Sequence, residues 1–390
     1  MNIFFPKSMA VNFPVGKFEN LRTPFYYYDI NVLRKTLDTL REEAGKYGYK
    51  IHYAVKANFN PEILKIISSY GFGADCVTWN EIERAMECGF SPDNIMFAGV
   101  GKSDYEILNA LKAGIYCFNC ESIQELEILN SFAEKLGLNQ NIALRINPLI
   151  DAHTHNYITT GIEESKFGIT MAELDQTVEK LRHLKNLSFV GIHFHIGSQI
   201  TRMQVFKSLC IRINEISDWF SSQGFNPKII NAGGGLGIDY YNPDSYPAFH
   251  DYFGVFKELV NIYAGQELHF ELGRSITGQC GSLISRVLYI KNGSNAKFAV
   301  IDAGMTDLIR PALYQAYHKI ENLTSSLKPL RYNVVGPICE SSDTFGKFVE
   351  LPETRRGDIL AIRSAGAYGE VMASRYNLRE LPYSVFSDKL

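Results

Sequence analysis

Charge of one sign is what this 390-residue sequence lacks first: 39 basic residues stand against 42 acidic ones, for a formal net charge of −3. That balance excludes the basic footprint of a nucleic-acid-binding surface. No continuous apolar run approaches the roughly 20 residues of a membrane span. The apolar patches near the start are interrupted by Pro6, Lys7, Pro14 and Lys17, with no cleavage-site pattern after them, so neither a signal peptide nor a membrane span is expected. Cysteine is sparse: Cys76, Cys88, Cys117, Cys120, Cys210, Cys280 and Cys339 are scattered and odd in number. This fits a reducing compartment better than a disulfide framework, and a cytoplasmic location is expected. Internal repeats and low-complexity segments are missing too. What is present is a 46% hydrophobic chain long enough for roughly two domains at about 150 residues each, or for an α/β barrel with an appendage.

Eight apolar, β-branched or aromatic runs occur in the first 275 residues: Ile51–Ala57, Gly73–Val77, Ile95–Ala98, Ile115–Asn119, Ile142–Asn147, Phe189–Ile196, Lys228–Ala232 and Leu268–Leu272. Amphipathic segments separate most of them, at Pro61–Tyr70, Trp79–Cys88, Ser103–Lys112, Ile123–Leu136, Ala172–Leu184, Met203–Ser222 and Ala248–Tyr263. Alternating strands and helices imply parallel crossovers, and eight such units predict a closed (β/α)8 TIM-type barrel, with an open doubly wound sheet as the alternative. After Gly273 the rhythm breaks. Runs at Ser285–Ile290, Lys297–Ile301, Arg331–Gly336 and Asp358–Ile362 predict a second, mainly antiparallel β domain. The expected boundaries are a barrel over residues 25–275 and a β domain over 276–390 joined by 1–24, with Phe13 to Leu21 adding a strand to the barrel.

Lys56, in Tyr53-Ala-Val-Lys56-Ala-Asn58, closes a run whose alternation puts His52, Ala54 and Lys56 on one face. A buried ammonium must be paired, neutral or covalently bound, for instance as a Schiff base; the plainer alternative is a lysine snorkelling to water. The C-terminal ends of barrel strands carry active sites, and phosphate sites form after strands seven and eight. The seventh run ends in Gly233-Gly-Gly235-Leu-Gly237, which suits either a phosphate cradle or a tight turn. The sixth carries His193 and His195, which alternation turns inward with His195 nearer the mouth. With no convergent carboxylates or cysteines, no metal is expected there. An imidazole stacked on a flat ring, with Ser198 reaching a phosphate, fits the neighbouring glycine loop. The eighth run ends at Glu271-Leu-Gly-Arg274 and would pair with the first, so that Glu271 and Lys56 either form a buried ion pair or share a site. Stacking imidazole, phosphate cradle, carboxylate and amine on one arc suit pyridoxal 5′-phosphate.

These motifs resemble the pyridoxal-phosphate-dependent decarboxylases built on the alanine-racemase-type barrel, and most specifically those acting on diaminopimelate. The likeness runs from about Thr23 to Asn377. It is carried by the motifs around Lys56, His195, Gly235 and Glu271, and by Ile309-Arg-Pro-Ala-Leu-Tyr314, Gly336-Pro-Ile-Cys-Glu-Ser-Ser-Asp343 and the run from Gly366 to Asn377. The first four are shared with related amino-acid decarboxylases; the last three carry the substrate class. The resemblance implies that Lys56 bonds covalently to the cofactor, that His195 stacks on its ring, and that Glu271 pairs with its pyridine nitrogen. Ser198, Gly234, Gly235, Gly273, Arg274 and Tyr368 would complete the cofactor site. Arg274, Arg310, Tyr314, Glu340 and Tyr368 would contact substrate, and Cys339 would be catalytic. It further implies a homodimer in which Cys339, Glu340 and Tyr368 belong to the neighbouring subunit's site. The activity implied is decarboxylation of meso-2,6-diaminopimelate at its D-centre to L-lysine, with Cys339 returning the proton.

The alternatives are a decarboxylase of the same fold acting on ornithine, arginine or carboxynorspermidine, a racemase, or a catalytically silent regulatory homologue. A purely cationic distal group would leave Arg310 nothing to bind, and retention of Lys56, Glu271 and Cys339 argues against silence. Two departures stand out: Leu272 occupies the place where the family usually has proline, and Cys76-Val-Thr-Trp-Asn-Glu81 replaces its usual Ser-Gly-Gly-Glu. The long polar connection from Asp151 to Lys166 is the expected lid.

Overall fold

The computed structural model describes residues 9–150 and 165–390. The expected lid therefore lies almost wholly outside the described residues. The chain divides into two units: residues 37–237 with 248–273, and residues 1–36 with 238–247 and 274–390.

Strand β1, Phe25–Tyr28, belongs to the second unit. The first unit is a closed parallel barrel of β2 Lys50–Ala54, β3 Gly73–Cys76, β4 Ile95–Phe97, β5 Cys117–Cys120, β6 Gln140–Arg145, β7 Leu187–His193, β8 Ile229–Asn231 and β9 Glu267–Leu272. All eight expected strands are present in order. In each of the first four crossovers a short polar residue caps the helix. The side chains of Asn60, Thr78, Ser103 and Ser122 accept backbone N–H bonds from Glu62, Glu81, Glu106 and Glu125, each cap stabilising by about 1 kcal/mol. Thr78 lies in the departing Cys76–Glu81 segment, whose local role is thus a helix start.

On β2 and β9 two buried histidines meet, His52 Nε2 lying 2.9 Å from His269 Nδ1. Gly73 makes room for them, since a Cβ there would lie 2.3 Å from His52 Nδ1. Burial, then the neighbouring His269, pushes His52 down to about 3; burial, then Lys50, pushes His269 down to about 4. The unfolded chain therefore binds more protons than the folded one below pH 6.5, and stability falls as pH drops from there toward 4, by up to about 1.4 kcal/mol per pH unit for each group. Urea unfolding at pH 7.5, 6 and 5 should show this loss, with a slope about one proton shallower in His52→Gln; an unchanged slope would refute the assignment.

In the second unit, β1 pairs antiparallel with β10, Gly281–Asn292, and parallel with β16, Tyr383–Phe386. The remaining strands are β11 Lys297–Ile301, β12 Ile320–Asn322, β13 Pro329–Val335, β14 Thr344–Pro352 and β15 Ile359–Ile362. Only the β1–β16 and β11–β13 pairings are parallel, so the sheet is mixed and mostly antiparallel. Two expectations are corrected here. The barrel does not begin at residue 25, because β1 exhausts its hydrogen bonds on β10 and β16. The Phe13–Leu21 segment forms a helical turn at Val15–Phe18, and Phe13, Phe18 and Leu21 pack with Phe25, Tyr27 and Ile284 in the core of the second unit. Aromatic bulk rather than alternation decides its place.

Candidate active site

At the C-terminal end of the barrel, β2 stops at Ala54 and the chain turns through a 3-10 segment, Val55–Ala57, which carries Lys56 off the strand. Strand alternation therefore does not apply to Lys56. In register, Glu271 faces His52 across β2 and β9, two residues short of the strand's end. The amine instead sits 2.6 Å from Oδ2 of Asp75, on β3. The lysine side chain is 33% exposed, yet its head is held by a fully buried carboxylate, which sets aside simple snorkelling. Burial, then the charge of Glu271, pushes the Asp75 carboxyl up against the pull of Lys56.

Glu271 is buried on β9 and surrounded by donors. Its Oε1 accepts from Nδ2 of Asn231 at 2.7 Å and of Asn119 at 3.3 Å; its Oε2 lies 2.9 Å from His193 Nε2. Burial alone would raise this carboxyl, but His193, followed by Lys56 and His195, outweighs it and holds Glu271 well below the usual carboxylate range. His193 is thus spent on Glu271. Among the described residues no group of three or more His, Cys, Asp or Glu could hold a metal.

His195 lies two residues beyond β7. Desolvation, then the charges of Arg145 and Lys56, push it down to about 3, so the ring is neutral near pH 7. Its Nδ1 accepts from the Gly234 N–H at 3.3 Å. Ser198 stands on the loop that follows, and that loop is pinned to the glycine run by Ile200 N–H to Gly235 O and Gly237 N–H to Ile200 O. The glycines are sterically required: a Cβ on Gly233 would lie 2.1 Å from Phe194 O, and one on Gly234 would lie 2.0 Å from Glu271 O. Gly273 presses on the Lys56 turn, where a Cβ would come within 2.8 Å of Ala57 Cβ.

Lys56, His195, Gly234, Gly235, Glu271 and Gly273 therefore belong to one mouth. Sequence reasoning missed its supporting groups. Asp75, Asn119 and the buried Glu121–Arg145 pair (2.8 Å) carry no motif of their own, while Asn231 opens the glycine motif. Glu81, pushed up to about 7 by burial, accepts from the Val77 N–H at 2.8 Å. A polar residue at the end of a buried strand is the available signal for Asp75, and the same position heading the glycine motif is that for Asn231.

In the second unit, Arg274 Nη1 donates to Tyr240 Oη at 2.8 Å, and its guanidinium lies 4.8 Å from the centre of the Tyr368 ring. Buried Arg310 sits 5.4 Å from the Tyr240 ring and 6.0 Å from that of Tyr314, and its Nε donates to His318 Nε2 at 3.3 Å. Burial, then Arg310, keeps His318 neutral at about 3, as this acceptor role requires. The Tyr368 ring thus lies against Arg274, an aromatic face against a guanidinium being an attractive contact within one unit. Cys339 and Glu340 are exposed between β13 and β14; the other six cysteines are buried.

Residues 31–278 match the family model described as "Pyridoxal-dependent decarboxylase, pyridoxal binding domain". The chain is 55% identical to diaminopimelate decarboxylase of Bacteroides thetaiotaomicron, over 97% of this chain and 99% of that one. It is 42% identical to the Aquifex aeolicus enzyme of the same name, over 92% and 84%. The crystal structure of Helicobacter pylori diaminopimelate decarboxylase complexed with L-lysine superposes with a TM-score of 0.90 at 38% identity, covering 96% of this chain and 94% of that one.

Proposed function

The chain belongs to the pyridoxal-dependent decarboxylases, and from that membership we propose how its own residues serve the decarboxylation of diaminopimelate to lysine. The observation that carries the reading is Glu271, a buried, ionised carboxylate ringed by donors and electrostatically coupled to the Lys56 amine and the neutral His195 ring. Pyridoxal 5′-phosphate would supply an aldehyde that captures an amine and a ring that accepts the electron pair left by a departing carboxylate.

The donor set suits that group. Lys56 is the amine that holds the aldehyde, and Asp75 receives its ammonium when substrate takes its place. Glu271 keeps a proton on the pyridine nitrogen, since an ionised acceptor in a dry site favours the charged partner. His195 offers a flat, uncharged face. Gly235 in the glycine loop and Ser198 bind the phosphate; Gly273 lets the Lys56 turn approach β9. Arg274 and Tyr368 serve cofactor and substrate. Arg310 and Tyr314 grip the distal carboxylate, for which a guanidinium offers two parallel donors.

Cys339 and Glu340 act at the neighbouring copy's site in a homodimer, Glu340 pairing the distal ammonium and Cys339 returning the proton at the D-centre to give the L product. The exposure of this one thiol supports that role. The other thiols, buried and free of disulfides, support a cytoplasmic location. Among the described residues no helix is long and apolar enough to cross a membrane.

The test is carbon dioxide release from meso-diaminopimelate, L-ornithine, L-arginine and carboxynorspermidine in parallel. Release from diaminopimelate alone is expected. In Arg310→Lys, KM for diaminopimelate should rise by about tenfold as one of two parallel bonds is lost. An unchanged KM removes Arg310 from the substrate site.

A further inference from the structure

Asn231 ends β8 with its side chain fully buried, and its amide orientation is settled by its neighbours. Oδ1 accepts the Gly233 N–H at 2.9 Å, so Nδ2 is the end that faces Glu271 Oε1 at 2.7 Å. Asn119 Nδ2 approaches the same oxygen from β5 at 3.3 Å. A carboxylate offers about four acceptor places, two on each oxygen. The two amides fill Oε1, and His193 Nε2 takes one place on Oε2. Among the described residues, one place remains.

We propose that Asn231 is a positioning residue: it holds Glu271 as an acceptor with a single open place and ties that place to the glycine loop through Gly233. This rests on the reading that Glu271 receives the N–H of a bound pyridine ring. That reading needs one well-aimed acceptor, and a site with one vacancy supplies it. Because one rigid amide links the carboxylate to the loop, it also sets the spacing between the ring-nitrogen end and the phosphate end of a bound cofactor.

Aspartate is the discriminating replacement. Asn231→Asp keeps the Gly233 bond but puts an oxygen where Nδ2 donated. Two carboxylates in hydrogen-bond contact cannot both ionise cheaply, so the pair retains one proton to higher pH. Its folded pKa then exceeds the unfolded value near 4, and stability present below that value is lost as pH rises through the folded one. The charged and titratable groups facing this pair are Lys56, Asp75, His193, His195, His52 and His269, with the buried Cys117 thiol and Tyr252 hydroxyl.

The experiment compares apoprotein melting from pH 5 to 8 and pyridoxal-phosphate affinity by fluorescence titration. Asn231→Asp should melt progressively below wild type as pH rises. Asn231→Ala should lose stability by the same amount at every pH and bind the cofactor about tenfold more weakly, the equivalent of one lost hydrogen-bonded contact. Should Asn231→Asp fail to fold, Asn119→Asp probes the same oxygen without touching Gly233, with the same sign and a smaller shift. Aspartate variants that melt parallel to wild type across this range, with Asn231→Ala binding within twofold, overturn the proposal. Glu271→Gln separates it from its premise. If that variant keeps wild-type turnover and an unshifted pH titration of the bound cofactor's absorbance, the premise fails; if it collapses while the asparagine variants behave as wild type, only the role of Asn231 fails.

Discussion

Lys56→Ala is expected to cut carbon dioxide release from diaminopimelate by roughly four orders of magnitude or more, because a tethered amine becomes one that must arrive from solution. The geometry gives this substitution a second signature. Asp75 is fully buried and its Oδ2 is 2.6 Å from the lysine amine. Burial and Glu271 already push its carboxyl up, and removing Lys56 removes the main charge that opposes that rise. In the variant Asp75 should take up a proton on folding. Stability of the apoprotein would then be retained at low pH and lost as pH rises through the new folded value, the reverse of the histidine-driven trend. Turnover measured with and without added methylamine, beside melting curves at pH 5 and 8, checks both parts. Substantial release without any amine, or melting parallel to wild type, would remove Lys56 from the role given to it.

Gly234→Ala should have the next largest effect. Its Cβ would lie 2.0 Å from the backbone oxygen of Glu271, a contact that only movement of the loop or of β9 can relieve. The cost is about 3 kcal/mol. The damage reaches function because the same loop donates from Gly234 to His195 and hangs from Asn231, which holds Glu271. Cofactor affinity should fall by about two orders of magnitude, read by equilibrium dialysis, against a smaller loss in Gly237→Ala, where the nearest atoms are 3.0 Å away and include the Gln199 side chain. Equal affinity in Gly234→Ala and wild type would show that the loop has slack the packing does not suggest.

Much of the fold and of the site is legible in the chain's own residues. Eight apolar runs with capped helices between them encode a closed barrel, because each strand is buried on both faces and each crossover must return to the same end. Glycines after the seventh run and a glutamate ending the eighth are also local signals. Alternation misleads where a strand stops early: β2 ends at Ala54, so counting on to Lys56 gives it a facing partner, Glu271, that register assigns to His52. The contact of Tyr368 with Arg274 is likewise one that no local pattern announces.

Taken by itself, the sequence determined the element order, the barrel and the family, since these follow from periodicity, burial and short motifs along the chain. Tertiary structure alone decided which neighbour each reactive group has: Asp75 under Lys56, three donors around Glu271, a neutral His195, and β1 in the second sheet rather than the barrel. The physical reason is that a buried charge is governed by groups within a few ångströms, and those groups come from strands far apart in sequence whose separation no local pattern records.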